Sequence, residues 1–131
     1  MIAVATSAIV AILRREPEAN LFAGIIGESD RCFLSAVDLF ETSMVMIGRG
    51  RPALAQGLDT LIDEFAIEIV PFDEEQARQS RAAFVRFGKG RHPAALNFGD
   101  RVSYALAQSL GLPLLFKGTD FAKTDVISAS G

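Results

Sequence analysis

A chain of 131 residues, half of them hydrophobic, is long enough for one domain with a real core and too short for two. Its formal charge of −3 excludes binding of nucleic acid through a uniformly basic surface. It does not exclude a nuclease, because clustered carboxylates lower the net charge while being what a hard divalent cation needs. The lone cysteine, Cys32, excludes an internal disulfide and a thiolate metal site, consistent with a reducing cytoplasm.

The opening MIAVATSAIVAIL lacks a basic start and is ended by Arg14 and Arg15, well short of a membrane span. It reads as a strand over 2–4 running into a helix that Thr6 or Ser7 caps and that ends at Leu13, before Pro17. A second helix is expected over 18–26, then a turn over 27–30 into a strand over 32–34. Ser35 suits the N-cap of a helix over 36–47, in which Val37, Phe40, Met44 and Ile47 form the expected core stripe. Asp38 and Glu41 fall three apart on one side, with Asp38 expected to be solvated. Leu39, Val45 and Met46 are then an apolar surplus, most simply covered by another subunit.

Pro52 suits the first position of a helix over 52–65, and 67–70 reads as a third strand. Asp73 with Gln76 has the form of a capping box for a helix to Phe87, stopped by Gly88. Near the loop that follows, Arg86, Lys89 and Arg91 are candidate phosphate contacts, as are Arg14 and Arg15. The lone His92, before Pro93, offers no partner for a His-activated nucleophile or a zinc site. Asp100 falls in the first turn of a helix to Leu110, stopped by Gly111. An apolar run over 112–116 reads as a strand buried on both faces, with Asp120 just past its carboxyl end, and a short edge strand is expected near 126–127. Strands alternating with helices give a three-layer α/β/α sandwich on a central parallel sheet.

Four segments carry a family resemblance: TSAIVAIL (6–13), SAVDLFET (35–42), NFGDRVSYALA (97–107) and KGTDFAKTD (117–125). In this order and spacing they resemble the PIN-domain ribonucleases, specifically the VapC toxins of toxin–antitoxin pairs. The resemblance covers nearly the whole chain as a single PIN domain, residues 1–131, and implies a strand order 3-2-1-4. It assigns catalytic and metal-site roles to Glu41, Asp100 and Asp120, and a metal role to Asp125. The implied cofactor is Mg²⁺ or Mn²⁺ and the implied partners are an RNA substrate, a VapB-type antitoxin and a second copy of the chain. One position departs: where the family's first strand ends in an acidic residue, this sequence has Ala5.

Two carboxylates about 5 Å apart repel by about 3 kcal/mol at an effective dielectric of about 20, so a pocket of three or four calls for a cation. The methyl of Ala5 removes one ligand and one charge from such a pocket. Weak or single-metal binding, impaired hydrolysis and an intact fold are expected. A non-catalytic PIN-fold module for RNA or antitoxin binding is the alternative. A phospho-acceptor domain of the flavodoxin-like kind shares the layout, but needs an acidic cluster where this chain has Ala5 and Thr6.

Overall fold

Ile2 and Val4 pack into one hydrophobic cluster and Ala3 and Ala5 into another, the two-residue period of a strand buried on both faces. The computed structural model describes residues 1–131. This first strand, β1 (Ile2–Val4), leads into α1 (Thr6–Leu13) and α2 (Ala19–Glu28), then β2 (Cys32–Ser35), α3 (Ala36–Gly48) and α4 (Pro52–Glu64). β3 (Glu68–Val70), α5 (Glu74–Phe87), α6 (Phe98–Leu110) and β4 (Leu114–Leu115) follow, with a 3₁₀ turn at Phe121–Lys123. All pairings are parallel, in the order β3-β2-β1-β4, with Ala3 beside Phe33 on one side and Leu114 on the other. The expected α/β class and strand order are therefore both found.

One face of the sheet buries Val4, Leu34 and Leu115 against Ile9, Phe22, Ile26 and Leu58 of α1, α2 and α4. The opposite face buries Ala3, Phe33 and Leu114 against Ala83, Phe87, Tyr104 and Leu106 of α5 and α6. Each fully buried Leu, Ile or Phe contributes about 1.5–3 kcal/mol relative to exposure, so this double covering needs no staple.

The caps at Ser35 and Asp73 form as expected, accepting from Val37 N at 3.2 Å and Gln76 N at 2.9 Å. The second half of the Asp73 box does not form, because Gln76 Nε2 donates to Ser109 Oγ at 2.6 Å instead. Helix α1 has Ala5 at its N-cap and no side-chain cap; Ser7 Oγ accepts from Lys117 N at 3.0 Å. The expected strand over 112–116 shrinks to two residues, since Pro113 has no N–H to enter the ladder. The C-terminal segment completes that edge: Leu114 N donates to Ile127 O at 2.8 Å and Ala129 N to Leu114 O at 2.9 Å. The bridge falls at Ser128, just after the position expected for an edge strand.

The orientation of α3 corrects the sequence reading. Phe40, Met44 and Ile47 are 63%, 50% and 56% exposed, whereas Asp38, Thr42 and Met46 are buried. With apolar residues almost all round this helix, periodicity alone leaves its rotation open. The rotation is set by the Ser35 cap on β2 and by Ser103 Oγ, which donates to Asp38 Oδ2 at 2.5 Å.

Candidate active site

Topology brings three acidic segments to the carboxyl edge of the sheet. Helix α3 leaves β2 at that edge, while α6 precedes β4, runs against the strands and so places its first turn there. Asn97 Oδ1 accepts from Asp100 N at 2.9 Å and Asp100 Oδ2 from Asn97 N at 3.1 Å, a reciprocal capping box that fixes the Asp100 side chain. The Asn-x-x-Asp spacing carries this signal in the sequence. Glu41 lies against Gly99, where a Cβ would overlap both carboxylate oxygens. A side chain at Gly99 would push the Glu41 carboxylate aside, a contact that only the fold reveals, because the two residues lie 58 positions apart.

Burial pushes the Asp100 carboxyl up to about 6; the Asn97 N–H opposes the rise, and the negative charges of Asp120 and Glu41 add to it. Glu41 and Asp100 line an open groove of about 550 Å³ with Thr6, Arg14, Arg49 and Lys117. Asp120, exposed at the start of the 3₁₀ turn, is not part of that lining, although its charge reaches Asp100. Lys117 is tied to Glu16 at 2.7 Å and Glu18 at 3.1 Å.

Asp125 has a different engagement. Tyr104 Oη donates to it at 2.6 Å and Arg86 pairs with it at 3.3 Å, tying the C-terminal loop to α5 and α6. Burial, and after it that bond, push the Tyr104 phenol up to about 12. Arg86 also stacks on Phe87 at 4.7 Å and Arg91 on Phe84 at 4.9 Å, while Lys89 is exposed. None of Arg86, Lys89 and Arg91 lines the groove that holds Glu41 and Asp100. His92 Nδ1 accepts from Ala94 N at 3.0 Å, a loop role.

Asp38, expected in solvent, is 0% exposed, between α3 and α6. Burial pushes its carboxyl up to about 7; Ser103 opposes the rise, and the charge of Glu41 adds to it. Its Oδ1 has no hydrogen-bond partner, and neither has Thr6 Oγ1, which lies close enough to damp the rise without being aligned for a bond. Ala5 is 2% exposed and packs in the cluster that holds Tyr104 and Phe121. The oxygen donors suit a hard divalent cation in kind, but no three acidic, histidine or cysteine side chains are drawn together as a ready-made cage.

Residues 2–127 match the PIN domain family. The chain belongs to that family. Within it, ribonuclease VapC28 of Mycobacterium tuberculosis is 46% identical over 122 residues, which are 92% of each chain. A ribonuclease VapC of Mycolicibacterium smegmatis is 44% identical, over 92% of this chain and 94% of its own. The same fold is found in M. tuberculosis VapC20, a sarcin-ricin-loop-cleaving toxin, with a TM-score of 0.79 and 17% identity over 97% of each chain. A toxin–antitoxin complex from Klebsiella pneumoniae has a TM-score of 0.74 and 18% identity over 100% of this chain and 98% of that one. Family membership makes the chain a VapC-type ribonuclease toxin, with Glu41 and Asp100 brought into one groove.

Proposed function

We propose that this chain is a VapC-type endoribonuclease whose centre is Glu41, Asp100 and Asp120, with hydrolysis impaired by Ala5. The single observation that carries the assignment is the groove in which Glu41 and Asp100 share one wall and the Asp120 charge acts on Asp100. A Mg²⁺ or Mn²⁺ ion held by these carboxylates would supply Lewis-acid polarisation of the scissile phosphate and an acidified water. The Asn97 box holds Asp100 in one rotamer, and Gly99 lets the Glu41 carboxylate press against the helix start. Arg14 and Arg49 offer positive charge to the phosphates on either side of the scissile bond. Lys89 and Arg91, outside the groove, are proposed for phosphates farther along the strand, and Arg86 and Asp125 as the brace of that surface.

The partners proposed are RNA, a VapB-type antitoxin and a second copy of this chain. Phe40, Met44 and Ile47 form one exposed apolar stripe on α3, the face assigned to the second copy. The antitoxin would lay a segment along the acidic groove and set a basic side chain near Glu41 and Asp100. Cytoplasmic residence accords with an RNA substrate and with the free, buried Cys32; no helix is long and apolar enough to cross a membrane.

The test is A5D, which returns a carboxylate to the tip of β1. Its RNA cleavage in Mg²⁺ or Mn²⁺ should exceed that of the present chain by orders of magnitude, and adding D100N should abolish it. A folded A5D protein that cleaves no RNA overturns the assignment and leaves the non-catalytic binding module.

A further inference from the structure

Three phenylalanines, Phe72, Phe84 and Phe98, belong to neither hydrophobic cluster. They line one open depression of about 310 Å³ between α5 and α6, together with Arg81 and Arg101. Small-molecule sites run from about 300 Å³ upward, so this one suits a single flat ring. Phe98 is 64% exposed, and no ring or guanidinium group stacks on it. Phe84 is used differently: Arg101 lies over its ring at 4.4 Å and Arg91 at 4.9 Å. Arg101 is held further by Nε, which donates to Leu96 O at 3.0 Å. None of Arg81, Arg91 and Arg101 pairs with a carboxylate. In a chain of net charge −3, unpaired guanidinium groups beside one apolar wall make a local attraction for anions.

The depression adjoins the acidic groove across the first turn of α6. Asn97 and Asp100 line the groove, whereas Phe98 and Arg101 line the depression, each pair three residues apart on its own side of that turn. The charge of Arg101 still reaches Asp100. Proteins that read single-stranded RNA stack splayed bases on aromatic rings and guanidinium planes, while cations take the flanking phosphates. An apolar side chain from a protein partner would fill the wall and leave the arginines unmatched, whereas each nucleotide brings a phosphate with its base. We propose that the depression receives one unpaired base of the RNA beside the scissile phosphate: Phe98 is the stacking platform, Arg101 offers its terminal N–H groups to the base edge, and Arg81 takes a phosphate at the rim. The inference rests on the nuclease assignment above and deepens it, by naming unpaired RNA as the substrate class. A base inside a duplex cannot reach this wall.

Fluorescence anisotropy on the intact protein, in EDTA so that no strand is cut, tests this with two probes: oligouridine, and an abasic ribose-phosphate strand of the same length. The two carry the same phosphates and differ only in the bases. The present chain should bind oligouridine about tenfold or more tighter than the abasic strand, and F98A should bring the two within about threefold. Phe98 is exposed and outside both clusters, so F98A keeps its fold, which circular dichroism checks. R81Q should weaken both probes by the same factor, as loss of a phosphate contact does. If the present chain shows no preference for the base-bearing strand, or F98A keeps the full preference, the base pocket is refuted, while the nuclease assignment stands or falls separately on A5D. If F98A alters the sedimentation of the free protein, Phe98 belongs to a contact between copies and the pocket is refuted.

Discussion

Replacing Asp38 with Asn should make the metal-free protein more stable, by an amount that grows with pH. Folding raises this carboxyl from its ordinary value of 3.8 to about 7, chiefly by burial. The gap, at about 1.4 kcal/mol per tenfold change in proton affinity, comes to about 4 kcal/mol. The sign follows from proton counts: between pH 4 and 7 the folded state holds a proton on Asp38 that the unfolded state has released. Stability is therefore lost as pH rises through this window, and the penalty is complete above about pH 7. The uncharged amide of the D38N protein carries no such penalty at any pH. Urea unfolding in EDTA should give D38N an advantage of about 4 kcal/mol at pH 8, about 2 kcal/mol at pH 5 and close to none at pH 3.5. Taking the difference between the two proteins cancels the opposite pH dependence of Glu16 and Glu68, whose carboxyls are held low by Lys117 and Arg31. An advantage that stays flat from pH 4 to 8 would refute the reasoning, because it would mean that water reaches Asp38 and that its carboxyl titrates normally.

Gly99→Ala places a methyl on the Glu41 carboxylate; in an A5D background it should cut RNA cleavage by about tenfold or more with little change in the circular-dichroism spectrum. Tyr104→Phe removes the 2.6 Å bond to Asp125, so it should cost about 1–2 kcal/mol in urea unfolding and speed amide exchange of the C-terminal segment. Met44→Glu sets a charge in the exposed stripe of α3, and should convert a dimer to monomer in sedimentation without lowering the thermal midpoint. Leu114→Ala opens a void in the central sheet and should cost about 2–5 kcal/mol.

Much of the architecture is legible because each signal is local. The apolar runs give the strands, Ser35 and Asp73 mark helix starts, and Gly111 stops α6 in the left-handed conformation at φ 65°. The strand order is legible only through family resemblance, since parallel pairing leaves no local trace. What stays hidden is set by rotation and by distant neighbours. Helix α3 is apolar nearly all round, so periodicity picks out Phe40, Met44 and Ile47 as its core stripe, and these face solvent. A lone helical Asp is usually solvated, and only Ser103, 65 positions away, reveals that Asp38 is buried. The role of Gly99 is hidden for the same reason. Glu41 and Asp100 share a groove as expected; Asp125 turns instead to Tyr104 and Arg86.

The central strand β1 is flanked on one side by β4, whose Leu114 and Leu115 stand more than a hundred positions later in the chain. Thr6 enters the pocket from one end of the polypeptide, and Lys117 and Asp120 approach it from the other. A chain still short of β4 has its sheet open at one edge and lacks Lys117 and Gly118 of the groove, although Glu41 and Asp100 are already in place. The strand that comes last in the chain is thus the one that closes the sheet beside its first strand.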